Sequence, residues 1–397
     1  MKKILIFYGA YGGGHLSAAK AIKNCLDKNY PECETLMVDC VEYINKYLNK
    51  ISTTAYKEMA KKFPWMWKFV YNNSEHGALA KISSTSNKLM SKKLNNILQE
   101  FDPDLVISTH PFSNQMCAYL KKDKKINCKI ATILTDMAPH SQWTVGSEYI
   151  DYFFVANKEM KNALSDEGIA DFKIFVTGIP LSERFKTDFD KESICKNFEL
   201  SADKKTILFF AGGEFGLGRK RTSFIFRALI RLFKDYQIVA ISGRNKRMFS
   251  KFNKLVEGYN VSDRVKVLEY TDKVPELMHI SSIVVTKPGG LTTTESLASG
   301  LPIIVVNPIP GQEEENADFL VRNGVAIWIK DDDNVARILK NLYRHPGLLM
   351  KWNLIFRSLL NLIQLKIFAM FWLIHFRIFK LFHRTNRPTF YWAQIFI

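Results

Sequence analysis

The sequence lacks the cysteine spacing, the signal-peptide core and the recognition motifs that define several common classes of protein. Its six cysteines include no CxxC pair, which favours a reducing compartment with structural thiols over a disulfide framework or a zinc site. No zinc-finger, RNP or helix-turn-helix pattern occurs, so no nucleic-acid partner is expected. The apolar run at 4–8 is too short for a signal peptide and leads into glycines. We therefore interpret it as the first buried strand of a cytoplasmic protein.

Acidic residues are scarce relative to basic ones. With 39 Asp and Glu against 56 Lys and Arg, the net charge is +17, which predicts a polyanionic partner such as a nucleotide or an anionic membrane surface. Residues 346–397 contain no acidic residue, and their uncharged run between Lys366 and Arg377 is too short to span a bilayer. Two interpretations of this tail stay open: a basic, aromatic interfacial helix, or the product of a shifted reading frame. We favour the shifted frame, which would remove the closing helix of the fold.

Short runs rich in Val, Ile, Leu and Phe alternate with helical patterns along the first 345 residues. Ten such runs, five in each half from KILIFYG to LPIIVVN, predict strands buried on both faces, as in a parallel sheet covered by helices. The 397-residue chain is long enough for two domains, and KKILIFYGAYGGG at 2–14 is echoed by KKTILFFAGGEFGLG at 204–218. We therefore predict two doubly wound α/β domains, at 1–183 and 184–345, followed by the atypical tail at 346–397.

Two glycine-rich stretches stand where ligands bind in such sheets, at the carboxyl ends of strands. In the first, Gly14 is followed directly by His15. The second begins at Lys287, continues through Gly289 and Gly290, and leads into a helix near Thr292. Free N–H groups and the dipole at such a helix start form a site for a diphosphate. Each loop on its own is equally consistent with a simple turn.

Polar side chains follow the second glycine stretch. We place Glu295 in the first turn of the helix, where its carboxylate can accept hydrogen bonds from ribose hydroxyls or simply compensate the helix dipole. Gln312 and Glu313 begin the next helix in NPIPGQEEENA, where they can hold sugar hydroxyls. A solvated acidic cluster paired with the helix dipole explains the glutamates equally well.

Five segments together resemble one enzyme family. The family is that of the processive diacylglycerol glycosyltransferases and monogalactosyldiacylglycerol synthases, and the similar segments are KPGGLTTTE at 287–295, NPIPGQEEENA at 307–317, GGGHLSAAKAI at 12–22, LTDMAPHSQW at 134–143 and LEYTDKVPELM at 268–278. A more distant relative is the N-acetylglucosaminyl transferase of peptidoglycan synthesis. The resemblance covers roughly residues 1–345. It implies a GT-B fold, in which two Rossmann-like domains face each other across a cleft, with a lipid acceptor on the first and a UDP-sugar on the second.

The resemblance also implies roles for individual residues. His15 is the implied general base, which deprotonates or positions the acceptor hydroxyl, and Asp136, near His140, is the competing candidate. The expected contacts of the UDP-sugar donor are Gly14, Gly213, Arg244, Tyr270, Thr271, Lys287, Gly289, Gly290, Thr292, Glu295, Gln312 and Glu313.

The stretch KKFPWMWKFVY at 61–71 mixes lysines with aromatic residues. Such a mixture suits the headgroup region of an anionic membrane, although a helix packed on the sheet is an alternative. The expected acceptor and membrane contacts are Trp65, Trp67, Phe69 and His140. No metal or other cofactor is expected, because the D-x-D in FDPDLV precedes a buried strand and no His, Cys and Asp cluster has zinc-like spacing.

The resemblance implies an inverting transfer of a hexose, expected to be glucose, from its UDP carrier to diacylglycerol at the inner face of the cell membrane. The alternatives are transfer to another lipid-linked acceptor, a UDP-sugar epimerase on the same fold, and a non-catalytic UDP-sugar sensor. An epimerase would need carboxylates on both faces of one sugar carbon and no lipid surface. The aromatic and basic stretch at 61–71 therefore argues against it.

Overall fold

The computed structural model describes residues 2–9, 13–45, 78–138, 140–211 and 219–345. These residues form two six-stranded parallel sheets. The strands of the first sheet are β1 (Lys2–Tyr8), β2 (Cys33–Asp39), β3 (Leu105–Ser108), β4 (Lys129–Ile133), β5 (Tyr152–Val155) and β6 (Ile174–Val176). The strands of the second are β7 (Thr206–Phe210), β8 (Gln237–Ile241), β9 (Val265–Leu268), β10 (Ile283–Thr286), β11 (Ile303–Val306) and β12 (Ala326–Ile329).

Helices alternate with these strands along the chain. Those that accompany the first sheet are α1 (Gly14–Asn29), α2 (Cys40–Asn45), α3 (Ala78–Phe101), α4 (Pro111–Lys122) and α5 (Lys158–Asp166). Those that accompany the second are α6 (Lys191–Asn197), α7 (Arg219–Leu232), α8 (Lys246–Tyr259), α9 (Val274–His279), α10 (Gly290–Ala298), α11 (Gln312–Arg322) and α12 (Val335–Arg344).

Both faces of each sheet are buried. In β1, Leu5 and Phe7 belong to one hydrophobic cluster, whereas Ile4 and Ile6 belong to another on the opposite face. The residues of β7 divide between two clusters in the same alternating way. Continuous apolar strands are therefore required, because neither face of the sheet meets water. The prediction of a doubly wound α/β fold is confirmed.

The strand order fixes where each sheet opens. The first sheet runs β2-β1-β3-β4-β5-β6, and the second runs β12-β11-β10-β7-β8-β9. The direction of winding therefore reverses between β1 and β3 in the first sheet, and between β10 and β7 in the second. In open parallel sheets, ligands bind beyond the carboxyl ends of the strands at such a reversal. His15 follows β1, and the stretch 287–290, called here the donor loop, follows β10.

All ten predicted strands form, and two further strands were not predicted. The first, β6, has three residues. The second, β12, has four residues and is partly exposed at Ile327 and Trp328. Both are edge strands, which need less continuous apolar sequence than central ones. The predicted division at residue 183 falls in the connection between β6 and β7.

The two domains contact each other at the carboxyl ends of their strands. Met137 and Ile179 from the first domain share a hydrophobic cluster with Leu297, Ala317 and Leu320 from the second. The predicted base candidates and the predicted donor loop are thereby brought to one interface. Within the described residues, no helix combines the length and the apolar character that crossing a bilayer requires.

Some of the predicted features lie outside the described residues. These are Gly213, the stretch 61–71 with Trp65, Trp67 and Phe69, and the tail at 346–397.

Candidate active site

His15 lies in the first turn of α1, directly beyond β1, where Gly13 precedes the helix with a φ of 81°. Its Nδ1 lies 2.6 Å from the carbonyl oxygen of Thr109 and 2.9 Å from the hydroxyl of Thr135. A carbonyl oxygen can only accept, so Nδ1 carries the proton, and the lone pair of the neutral ring is on Nε2. Nε2 forms no hydrogen bond with the described part of the chain, and it is therefore available to accept a proton.

Burial lowers the pKa of His15 from 6.5 to about 4, against the opposing effect of the Thr109 carbonyl. The imidazole is therefore neutral near pH 7, as a proton acceptor must be. A bound diphosphate would bring negative charge into the site, which favours the protonated form and raises this pKa.

Asp136 lies beyond the end of β4 and is 5% exposed. Burial raises its pKa from 3.8 to about 6, although Gln312, Trp143 and Asn316 stabilise the charged form. Its Oδ2 lies 3.9 Å from Nε2 of His140 and has no hydrogen-bond partner among the described residues. The two base candidates therefore differ: His15 is partly exposed, whereas the Asp136 carboxylate is enclosed between the domains.

His110 was not predicted and lies beside His15. It follows β3, the neighbour of β1, and the ring centroids of the two histidines are 4.6 Å apart in an edge-to-face arrangement. A Cβ on Gly9 would lie only 2.7 Å from the His110 ring, so this glycine makes the close approach of the ring possible. Burial, together with His15 and His140, holds the pKa of His110 well below 6.5.

The single signal that the sequence offered for His110 is its place after a predicted strand. Its ring also accepts a hydrogen bond from the backbone N–H of Phe112 at the start of α4. The residue therefore has a capping function in addition to its position beside His15.

The donor loop leads into α10, whose first residue is Gly290. A Cβ on Gly290 would lie 1.9 Å from the carbonyl oxygen of Thr135, so a side chain at this position would collide with the first domain. Gly290 is one of the predicted donor contacts. Its packing against Thr135 is a separate reason why only glycine fits. Gly14 lies across the same interface, where a Cβ added to it would be 3.5 Å from the Cβ of Leu291.

Glu295 is in the second turn of α10, and the first turn contains no acidic residue. Our placement of Glu295 in the first turn is therefore wrong, because the helix begins at Gly290 and not near Thr292. This position removes dipole compensation at the helix start as the explanation for Glu295. Burial raises its pKa from 4.5 to about 8, and its carboxyl group forms no hydrogen bond with the described part of the chain.

The threonines of α10 differ in their contacts. The hydroxyl of Thr294 donates to the carbonyl oxygen of Gly290. The hydroxyl of Thr293 is buried without a partner among the described residues, and Thr292 is partly exposed. Of the three, Thr292 is the one that a ligand at the helix start can reach.

The start of α11 faces the donor loop. Glu313 accepts a hydrogen bond from the backbone N–H of Ile309 at 2.6 Å, and its Oε1 lies about van der Waals distance from the Cβ position of Gly289. Burial raises the pKa of Glu313, and Lys287 opposes this. Burial likewise lowers the pKa of Lys287, and Glu313 opposes that shift. Lys287, the first residue of the loop, and Glu313 therefore lie close enough for their opposite charges to influence each other in a partly desolvated setting. Gln312, the first residue of α11, interacts with the Asp136 carboxylate.

The remaining predicted donor contacts lie beyond β8 and β9. The guanidinium of Arg244 lies over the ring of Tyr270, 5.5 Å from its centroid, and Tyr270 is 68% exposed. The hydroxyl of Thr271 accepts from the backbone N–H of Lys273. The pair Arg244 and Tyr270 therefore offers an exposed, flat and cationic surface at the carboxyl edge of the second sheet.

In the D-x-D of FDPDLV, the second aspartate forms contacts that stabilise the fold. Asp104 pairs with the ammonium of Lys2 at 2.8 Å and accepts from the backbone N–H of Lys3. Among the residues that the structure describes, no group of three His, Cys, Asp or Glu side chains is arranged to hold a metal ion.

Two protein-family models match this chain, one in each domain. Residues 15–181 match the family described as monogalactosyldiacylglycerol (MGDG) synthase, and residues 191–354 match glycosyl transferases group 1. The chain is 31% identical over 351 residues to a processive diacylglycerol beta-glucosyltransferase of Bacillus pumilus, and the match covers 86% of each chain. It is 32% identical over 341 residues to the enzyme of the same name from Bacillus cereus, and this match covers 84% of this chain and 83% of that protein.

Solved structures share the fold at low sequence identity. MnaA of S. aureus in complex with UDP has a TM-score of 0.64 and 17% identity, and the match covers 98% of this chain and 100% of MnaA. MurG of Acinetobacter baumannii has a TM-score of 0.59 and 14% identity, over 92% of this chain and 99% of MurG. These structures establish the GT-B fold of two Rossmann-like domains. The sequence matches at 31–32% identity establish that the chain belongs to the family of the processive diacylglycerol β-glucosyltransferases.

Proposed function

We propose that the protein transfers glucose from UDP-glucose to the hydroxyl group of diacylglycerol, with inversion at the anomeric carbon. One observation carries the proposal. A neutral histidine with an available Nε2 lies at the edge of the first domain. Gly14, the residue before it, lies beside Leu291 in the first turn of α10 on the second domain, and the same helix carries Glu295, whose carboxyl group forms no hydrogen bond with the described residues. Proton acceptance and anion binding therefore meet at one interface. The names of the relatives support glucose and diacylglycerol as donor sugar and acceptor.

The donor would lie along the second domain. The N–H groups and the dipole at the start of α10 favour binding of the diphosphate there, and the Glu295 carboxyl group accepts hydrogen bonds from the ribose hydroxyls. Lys287, the first residue of the donor loop, is partly desolvated near Glu313 and adds positive charge to the site. These groups stabilise the UDP that departs, and the proposal involves no metal ion.

The acceptor would approach from the first domain. Its hydroxyl oxygen attacks the anomeric carbon as the bond from that carbon to the β-phosphate oxygen breaks, and the hydroxyl proton passes to Nε2 of His15. One displacement of this kind inverts the configuration. We assign the base to His15 because its ring is partly exposed and oriented through Nδ1, whereas Asp136 is enclosed. Asp136 and His140 are assigned to the acceptor side, where they orient the hydroxyl.

The proposal places the protein on the inner face of the cell membrane. Diacylglycerol resides in a bilayer, and the net charge of +17 favours an anionic surface. The docking segment would be the aromatic and basic stretch at 61–71. If so, replacing Trp65 and Trp67 with alanine will lower the salt-resistant part of binding to anionic vesicles, because salt screens the lysines but not aromatic burial.

One assay tests the proposed reaction. The protein is incubated with radiolabelled UDP-glucose and vesicles that contain diacylglycerol, and the label is followed into lipid, into an epimeric sugar nucleotide, or into a protein-bound fraction. We expect label in a glucosylated lipid. Label in an epimer alone would make the protein an epimerase, and bound label without turnover would make it a sensor.

A further inference from the structure

Asn316 of α11 connects the two domains through both ends of its side-chain amide. Its Oδ1 accepts a hydrogen bond from the backbone N–H of Met137 at 2.8 Å. Its Nδ2 donates to the carbonyl oxygen of Pro288 at 3.0 Å. Met137 follows Asp136 in the first domain, and Pro288 belongs to the donor loop. Asn316 itself is 1% exposed, so both hydrogen bonds are shielded from water.

The chemistry of the two partners fixes the orientation of the amide. A backbone N–H must face an acceptor and a carbonyl must face a donor. A flipped amide would place its NH2 against the N–H of Met137 and its oxygen against the carbonyl of Pro288. A carboxylate at this position would keep the bond to Met137 but would place an acceptor against the Pro288 carbonyl. An apolar side chain would leave both backbone groups buried and unpaired.

A second contact runs parallel to the first. Gly290 of the donor loop packs against the backbone of Thr135 so closely that no Cβ fits between them. The hydroxyl of the same Thr135 lies 2.9 Å from Nδ1 of His15. The backbone segment 135–137 is therefore held against the donor loop at both of its ends, and it carries one base candidate while it contacts the other.

We propose that Asn316 is a positioning residue, which transmits occupancy of the donor loop to the backbone at 135–137 and so fixes the base candidates relative to the anomeric carbon. The identity of the donor rests on the proposed function. A displacement of about 1 Å between reacting groups lowers a rate by about 100-fold. The two hydrogen bonds of one rigid amide are suited to prevent such a displacement.

The test uses Asn316→Ala, with Asn316→Asp as a milder variant that keeps the acceptor for Met137. The matched control is Gln237→Ala. Gln237 is also a buried amide, 2% exposed, and it bonds both the N–H and the carbonyl oxygen of Ser201. All of its partners belong to the second domain. Both alanine variants therefore orphan one backbone N–H and one carbonyl, but only Asn316→Ala removes a hydrogen bond between the domains and a polar neighbour of the Asp136 carboxylate.

The first measurement is hydrogen–deuterium exchange in peptides that contain residues 134–138, with and without saturating UDP. We expect UDP to slow exchange of these amides in the wild type and in Gln237→Ala, although the ligand binds the other domain. In Asn316→Ala the slowing is lost, and in Asn316→Asp it is reduced. Equal slowing in all four proteins would overturn the proposal, as would its absence from the wild type.

The second measurement is kcat per UDP-binding site, with the sites counted by calorimetry. Asn316→Ala should lower kcat per site by about 10-fold or more and change the Kd for UDP by less than about 3-fold. Gln237→Ala should leave kcat per site within about 2-fold of the wild type. If both variants lose activity only in proportion to their loss of binding sites, the role of Asn316 is purely structural. A wild type that binds UDP but does not glucosylate diacylglycerol would refute the proposed function, and the exchange measurement would still decide the role of Asn316.

Discussion

The two edges that meet at the candidate site are desolvated to a similar degree but are organised differently. On the first domain, His15 is oriented by two contacts through Nδ1, and His110 packs against its ring. On the second, Glu295 is partly buried and forms no hydrogen bond with the described residues, and the adjoining helix start presents free N–H groups. One edge is arranged before any ligand arrives, and the other is left open to receive one. The comparison predicts that lesions on the first edge lower kcat and that lesions on the second weaken donor binding.

The largest expected effect is on the first edge. His15→Ala should lower kcat by roughly 10²–10⁴-fold, because the acceptor hydroxyl loses its base, and it should leave UDP binding nearly unchanged. Steady-state kinetics with UDP-glucose and calorimetry with UDP measure the two quantities. The exposed His345, just beyond α12, provides the control His345→Ala, which should behave as the wild type.

The companion variant Asp136→Asn should be the milder lesion. If Asp136→Asn lowers kcat more than His15→Ala does, the roles of base and orienting residue must be exchanged between these two side chains.

The second edge should respond through the donor. Glu295→Ala should weaken binding of the UDP-sugar by about 1.5–3 kcal/mol, because a ribose hydroxyl loses a desolvated partner. This corresponds to an increase of about 10- to 150-fold in KM. Glu257→Ala, at an exposed position of α8, is the control. An unchanged KM in Glu295→Ala, with an intact circular dichroism spectrum, would remove Glu295 from the donor site.

The two edges should also respond to pH with opposite sign. The folded state lowers the pKa of His15 from 6.5 to about 4, so this group makes the free energy of unfolding fall as the pH drops through that window. The folded state raises the pKa of Glu295 from 4.5 to about 8, so that group makes the free energy of unfolding fall as the pH rises from 4.5 to 8.

Thermal unfolding of two variants measures these slopes. Relative to the wild type, His15→Asn should gain Tm as the pH falls from 6.5 to 4, and Glu295→Gln should gain Tm as the pH rises from 5 to 8. Curves that run parallel to the wild type would show that neither group is desolvated in the folded protein.

The smallest expected effect concerns a second contact between the domains made by α11. Arg322 pairs with Glu159 at 3.1 Å, but both side chains are more than half exposed. Arg322→Ala should therefore cost less than about 1 kcal/mol in urea unfolding and leave kcat within about twofold. A loss of kcat as large as that of Asn316→Ala would mean that the strength of the interface matters more than the buried position of the amide.

The sequence was sufficient for the fold because the central strands are continuous apolar runs. It was insufficient for β6 and β12, which are short strands at sheet edges. In the candidate site, the sequence placed His15, Asp136 and the donor loop at strand ends, which follows from chain order alone. It did not indicate His110 or Asn316, since their contacts depend on which strands are neighbours and on how the domains meet. For Gly290 it suggested a contact with the donor, whereas the neighbour that excludes a side chain is the carbonyl of Thr135, far away in sequence.

The order of strands in the two sheets also has a consequence for synthesis. Every strand of the first sheet precedes residue 177, whereas the central pair of the second sheet, β7 and β10, cannot form until residue 286 has been made. Domains fold as units, with the N-terminal one first during translation. A nascent chain that stops before β10 therefore holds a complete first domain with His15 and no donor loop opposite it. A partly synthesised chain can therefore contain a folded first domain, but it lacks the donor loop that the proposed transfer reaction requires.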